Sequence, residues 1–385
     1  DGQVLPTDAR SFVLSAAQKL HLEFLFEWLV DPLLAYLRKR LKEVSPTLDQ
    51  YLVQSLIRNI EALLDNYIWY KLDVTQSEKA STPQATPDLK TLEGIFVYSL
   101  VWSLGSSCDE DGRVKFDAYI RRLFTEDSGF IADEFPDVGR NLIARGYVTP
   151  AKAVNYKLLV QLPADESVYS YVLNPSGTAF MRWVDTLEKS DIPADEKFSN
   201  IIVNTPDTAS FYYNVQLLLF HNNPVLVCGV TGTGKSAYTM KLLAGLDRDK
   251  YQSIDVGMSA KTTCNQVQHI VDSKTDKRRK GVYGPPPGQR CIIFIDDFNM
   301  PEVEEYGAQP PVELIRQLLA NGGWYDLLEK SKPFRNIVDS CVIAAMGPAG
   351  GGRNNITPRM LRHFSLISTP EFADDTMVRI FSTIV

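Results

Sequence analysis

The chain has 385 residues, 44% of them hydrophobic and 23% charged, with a formal net charge of −7. That length accommodates about two to three domains with substantial cores. The acidic balance excludes a general basic field for nucleic acid. No apolar run reaches the ~18 residues that a membrane span needs, and no signal peptide is visible.

The abrupt start and the uncapped helical stretch running into Val385 read as a piece of a longer protein. Residues 10–65 carry helical spacing. Leu20–Leu41 is an apolar-rich helix crossed by Pro32, and Leu48, Leu52, Leu56, Ile60, Leu63 and Leu64 form one stripe of a second helix. Ser45-Pro46-Thr47 between them reads as a stop and a new start. Residues 74–88, rich in Ser, Thr and Pro, predict a mobile loop. The apolar run Leu92–Leu104 and a short helix over Phe116–Phe124 complete an all-helical subdomain over about 10–125. Residues 126–200 are less regular. Lys157–Leu162 and Val168–Leu173 predict strands about a turn at Pro163, and Asp191-Ile-Pro-Ala194 predicts a polar break.

From Ile201 onward the pattern becomes alternating buried strands and helices. Strands are predicted at 224–228, 252–256, 291–296, 339–346 and 364–369, with helices at 207–221, 235–246, 263–272 and 310–321. This is a doubly wound α/β core. The basic run Lys274–Lys280 predicts a solvated loop, since no aromatic residues interleave it. Cys228, Cys291 and Cys341 fall in predicted core strands, where a free thiol behaves as a small hydrophobe, and Cys108 and Cys264 form no C-x-x-C pair with them. This usage fits a reducing compartment and argues against zinc. His221 and His363 lack metal-like spacing and read as structural.

Residues Gly229-Val230-Thr231-Gly232-Thr233-Gly234-Lys235-Ser236 form an unbroken G-x-x-x-x-G-K-[ST] loop. Backbone N–H groups in such a loop wrap the phosphates of a nucleotide, and glycine permits the positive φ and close approach this requires. Lys235 supplies charge to the phosphates and the Ser236 hydroxyl coordinates Mg²⁺. The apolar run Pro224–Cys228 before it and the helical spacing from Ala237 after it place the phosphates on a helix N-terminus. The strand Cys291-Ile-Ile-Phe-Ile-Asp296-Asp297 ends in two acids, as a second nucleotide motif requires. Asp296 is assigned to Mg²⁺ and Asp297 to the attacking water. ATP or ADP with Mg²⁺ is the expected ligand.

Further residues carry a family resemblance. Asp296-Asp297-Phe-Asn299-Met300-Pro301, Glu305-Tyr306-Gly307, Gly322-Gly323-Trp324-Tyr325-Asp326, Tyr283-Gly284-Pro285-Pro286-Pro287-Gly288, Met346–Arg353 and Thr357-Pro358-Arg359 resemble the third AAA+ module of a dynein heavy chain, more axonemal than cytoplasmic in form. Phe96–Gly105 and Arg113–Asp117 resemble the end of the second module. The resemblance covers nearly the whole chain. It implies an AAA+ P-loop core, a five-stranded parallel sheet between helices, preceded by a small all-helical lid. Residues 1–125 would be the lid of the second module, 126–372 the large subdomain of the third, and 373–385 the start of its own lid. It further implies a ring of six modules in a microtubule motor of the cytoplasmic cytoskeleton, in the axoneme of a cilium or flagellum. Partners would be the neighbouring modules and other dynein chains, with microtubule contact only through parts outside this chain and none with nucleic acid or membrane.

By the same resemblance Arg359, or else Arg362, reaches the nucleotide of the neighbouring module as a finger, and Ile202 and Val203 hold the adenine. Two departures bear on chemistry. Asp297 stands where AAA+ proteins usually carry Glu, and Gly347 stands where Asn or Thr often polarises the water. Loss of each positioning group costs on the order of 10²-fold in rate, so slow or conditional hydrolysis is expected. The alternatives are a non-hydrolysing structural relay, or a module of another giant AAA+ remodeller such as a midasin-like protein.

Overall fold

The computed structural model describes residues 14–76, 87–125, 129–145, 148–149, 152–153, 156–187, 201–326 and 329–384. The break expected at Asp191–Ala194 and most of the loop expected at 74–88 lie outside them. Two compact units emerge, one formed by Val44–Tyr51 and Val215–Ala373, the other by the segment ending at Glu43, Leu52–Asn214 and the residues from Asp374 on.

The second unit is mainly helical, with α1 (Ala16–Leu25), α2 (Asp31–Arg40), most of α3 (Asp49–Gln76), α4 (Leu89–Val101), α5 (Glu110–Thr125), α6 (Gly129–Glu134) and α7 (Pro136–Ala144). Ser15 and Gln18 form a capping box that starts α1. Pro32 does not end the predicted helix. A π-helical turn over Phe26–Val30 joins α1 to α2, absorbing the missing proline N–H and the ring's clash with the preceding turn. On α3 the predicted stripe is buried at Leu52, Leu56, Ile60, Leu63 and Leu64, whereas Leu48, just ahead of the helix, is 46% exposed. The helix runs on to Gln76, so the first three residues of the predicted loop are helical.

Every residue of α4 from Thr91 to Val101 is buried, which makes it the centre of this unit. Its one carboxylate, Glu93, is fully enclosed. It accepts from Leu159 N at 2.6 Å and from the Tyr156 hydroxyl, and lies 2.9 Å from His21 Nε2. Here the structure corrects one expectation: residues 157–162 form no strand, because the backbone at Leu159 is bonded to a side chain. The other predicted strand is a 3₁₀ turn (Val168–Ser170) followed by Tyr171–Leu173. It pairs forward with Phe180–Arg182, across a turn in which Asn174 Oδ1 accepts from Thr178 N and Ala179 N.

The first unit is built on a parallel sheet of β1 (Val225–Cys228), β2 (Tyr251–Gly257), β3 (Arg290–Asp296), β4 (Ser340–Met346) and β5 (Ser365–Ser368). Their order is 5-1-4-3-2. Helices α8 (Pro206–Phe220), α9 (Lys235–Ala244), α10 (Cys264–Asp272), α11 (Pro310–Asn321) and α12 (Pro358–Leu361) alternate with them, α8 beginning in the other unit. β1 is wholly buried at all four positions, as a central parallel strand covered on both faces must be. A last helix, α13 (Asp374–Ile384), follows.

A second sheet went unpredicted. It orders the strands Gly323–Tyr325, Phe334–Ile337, Val282–Gly284 and Asp276–Arg279. The basic run is therefore part strand, not loop. Arg278 donates to Pro285 O at 2.6 and 2.9 Å and pairs with Asp339 at 3.0 Å.

Two predictions follow from the packing. Phe298 is 0% exposed beneath the turn after β3, so Phe298→Ala lowers stability by about 3–5 kcal/mol, read by urea denaturation. Burial pushes the thiols of Cys108, Cys228, Cys291 and Cys341 up to about 12, and only Cys264 is less than fully buried. Iodoacetamide at pH 8 therefore labels Cys264 first and the other four only after denaturation. Mass spectrometry of the labelled peptides reads the order.

Candidate functional site

The register of the parallel sheet brings four strand ends to one edge. Cys228 of β1 lies opposite both Met346 of β4 and Ser368 of β5. Ile295 of β3 lies opposite Ala344 of β4, and Asp296 opposite Gly257 of β2. The loops after β1, β3, β4 and β5 consequently converge at the carboxyl ends of the strands, the place where open α/β sheets bind ligands.

Gly229–Gly234 turns from β1 into α9. Gly232 and Gly234 have φ values of 94° and 76°, and Gly234 is the left-handed residue that caps the helix. Gly229 is fixed by contact instead. A Cβ there would lie 2.2 Å from Thr369 Oγ1 and 2.5 Å from Thr369 O. Thr369 N donates to Cys228 O at 2.8 Å, and its hydroxyl lies 3.1 Å from that of Thr233. Thr233 is 3% exposed and donates to Val230 O. Thr231 and Gly232 of the loop and Ala237 in the first turn of α9 are exposed. Lys235 Nζ donates to Val230 O at 2.6 Å and to Thr233 Oγ1 at 3.4 Å. Burial lowers the pKa of this ammonium. Neighbouring Cys228, Asp296 and Asp297 oppose that shift, and the charge of Arg353 adds to it.

The two acids are delivered by β3. Asp296 Oδ1 accepts from Ser236 Oγ at 2.8 Å and from Asp297 N at 3.0 Å. Asp297 sits at φ 52°, a left-handed conformation that aspartate tolerates better than most residues but that still carries strain. The turn is pinned by Phe298 N to Ala345 O at 2.9 Å. The Asp297 side chain is 48% exposed, and Arg353 Nη2 donates to its Oδ1 at 3.4 Å. Among the described residues no group of three or more His, Cys, Asp or Glu could hold a metal alone. The adjacent oxygens of Ser236 and Asp296 are nevertheless the hard pair that suits Mg²⁺ when phosphates provide further ligands.

The structure thus gathers Thr233, Lys235, Ser236, Asp296 and Asp297. Arg359, on α12, is 62% exposed and lies 4.0 Å from Glu313 Oε2, which also accepts from Arg316 at 2.6 Å. Arg362 Nε donates to His363 Nε2 at 3.2 Å. Ile202 is half-buried and Val203 buried, both in the other compact unit. Sequence reasoning missed Arg353 and Thr369. The signal for Arg353 was the run Gly350-Gly351-Gly352 before it, with φ of 119°, 57° and 88°. Thr369 had no signal beyond its place just after β5.

Strand, phosphate loop and helix, with an acid-tipped third strand in a 5-1-4-3-2 sheet, define an AAA+ P-loop module. Residues 190–372 match the family of the P-loop containing dynein motor region, and residues 22–185 match the dynein heavy chain AAA lid domain. The chain belongs to the dynein heavy chain family. It is 41% identical over 370 residues to dynein axonemal heavy chain 12 of Rattus norvegicus, covering 94% of this chain and 11% of the relative. It is 43% identical over 300 residues to heavy chain 12 of Homo sapiens, covering 76% and 9%. Against dynein axonemal heavy chain 3 of Mus musculus the identity is 36% over 367 residues, covering 94% and 8%. The chain therefore spans between 8% and 11% of the length of these relatives. Membership implies nucleotide binding in general.

Because Thr369 fills the space beside Gly229, Gly229→Ala forces the loop and the end of β5 apart. Nucleotide affinity then falls about tenfold or more, as measured by titration with a fluorescent nucleotide, while the fold is kept by far-ultraviolet circular dichroism.

Proposed function

We propose that this chain is the lid of the second AAA+ module followed by the large subdomain of the third in a dynein heavy chain. Its phosphate loop binds ATP with Mg²⁺, hydrolyses it slowly or conditionally, and so regulates microtubule-based motility. The observation that carries this reading is the 2.8 Å hydrogen bond from Ser236 to Asp296 beside Lys235. It joins the two motifs on which binding depends. Names of the relatives place them in the axoneme, and we extend a ciliary or flagellar location to this chain.

The residues divide the work. Backbone amides of Gly229–Gly234 and the α9 N-terminus take the phosphates, with Lys235 adding charge. Ser236 and Asp296 would hold Mg²⁺, whose chemistry is to neutralise charge on the phosphate oxygens. Asp297 orients and deprotonates the attacking water from a half-exposed position. Its side chain is one methylene shorter than the usual Glu, and this is the reason for slow turnover. The exposure of Arg359 supports a role toward a neighbouring module, with Arg362 as the second candidate. Ile202 and Val203 are the proposed adenine contacts.

The test is nucleotide turnover with bound-nucleotide analysis in the intact heavy chain, with hydrolysis by the first module blocked. Slow turnover is expected. Lys235→Ala abolishes it and empties the site, and Asp297→Asn lowers it about 10²-fold with nucleotide retained. Nucleotide retained without turnover in the unmodified site would make the module a structural relay. No nucleotide at all would end the reading.

A further inference from the structure

Gly347 follows β4, where the family resemblance expects a polar side chain to polarise the attacking water, and it has none to offer. The structure gives a reason. A Cβ at Gly347 would lie 2.7 Å from Arg353 Nε and 2.8 Å from Arg353 Cδ. The arginine stem lies across the space that a side chain at 347 would fill. It is folded back by the three left-handed glycines and by paired bonds between Gly350 and Arg353, 2.9 and 3.0 Å long. Below it Asn299, 1% exposed, donates to Gly347 O at 2.8 Å and to Asn354 O at 3.1 Å. This holds both ends of the arginine loop.

The guanidinium is poorly satisfied where it stands. Its contact with Asp297 is a single long bond of 3.4 Å to a half-exposed carboxylate, the weak kind of ion pair. Its Nε is buried with no acceptor, and so is Asn299 Oδ1 with no donor. A buried N–H without an acceptor is costly. Arg353 also acts electrostatically on Lys235, the residue proposed above to add charge to the phosphates. A terminal phosphate offers a guanidinium several acceptor oxygens and more charge than one carboxylate. A diphosphate offers no such group there.

We propose that Arg353 is the residue that reads the terminal phosphate at this site. When a nucleoside triphosphate binds, the guanidinium exchanges Asp297 for the γ-phosphate, and Asp297 becomes free to take the water. With a diphosphate the Arg353–Asp297 pair persists and the acid stays engaged. This rests on the reading above that the loop holds nucleotide. It gives the side chain that lies over Gly347 a role toward the terminal phosphate and leaves the water to Asp297.

The experiment uses the intact heavy chain and titrates ADP and the non-hydrolysable β,γ-imido analogue of ATP. The contribution of this site is the difference from the Lys235→Ala protein. Arg353→Ala is expected to weaken the triphosphate analogue about 10- to 100-fold while ADP changes less than about twofold. Arg353→Lys, which keeps the charge but not the fork, falls between. The unchanged ADP affinity shows that the site is still folded. Equal loss of both nucleotides, or loss of neither, overturns the inference and leaves nucleotide binding standing. If the unmodified site binds neither nucleotide, the underlying reading and the inference fall together.

Discussion

Asp296 Oδ1 accepts two hydrogen bonds at once, from the Ser236 hydroxyl and from the amide of Asp297, and the rest of the site depends on how that carboxylate is delivered. It sits on the last residue of a seven-residue strand that is buried over Cys291–Ile295. Because strand side chains alternate between faces, a slip of one residue would turn Asp296 to the opposite face and send Asp297 with it. The apolar run Cys291–Ile295 is thus more than core. Its pairing on both edges, with β2 and with β4, sets the height at which the acid emerges relative to the phosphate loop.

The charges around that acid form a small closed set. Two carboxylates, Asp296 and Asp297, face two cations, Lys235 and Arg353, whereas the Cys228 thiol beneath them stays neutral because burial raises its pKa. In this form Lys235 is turned onto the loop's own Val230 carbonyl and Arg353 onto Asp297. Each cation is bound to a protein partner that a phosphate could replace. The glycines are placed to permit this. Gly232 and Gly234 give the loop its curvature, and Gly350–Gly352 bring Arg353 back over Gly347.

How much of this was legible follows from the range of the interactions. The five core strands and the helices α8 to α11 could be read almost to the residue, since four of the strands are short apolar runs, β2 alternates polar and apolar residues, and all are closed by Gly, Asp, Pro or a turn; the short α12 was not read. The phosphate loop and the two acids could be read because each is contiguous in sequence. The four-stranded second sheet could not. Its segments, such as Asp276–Arg279 and Phe334–Ile337, are short and partly charged, and are held by partners far away in the chain. Arg353 was hidden for the same reason, lying 56 positions from Asp297. Lys157–Leu162 is a short apolar-rich run like a strand, but Glu93 captures its backbone at Leu159, and no local pattern encodes that.

Thr369 closes the base of the phosphate loop from the side of β5. Its hydroxyl and carbonyl occupy the space that Gly229 leaves open, and its amide is bonded to Cys228 O. The strand just before it begins at Ser365, after the short segment that follows α12 and its Arg359. That strand is bonded to β1 along its length, from Ser365 N on Pro224 O to Thr369 N on Cys228 O. The loop after β1 and the segment after α12 therefore share one anchor, and the packing that fixes the first also fixes where the second sets out.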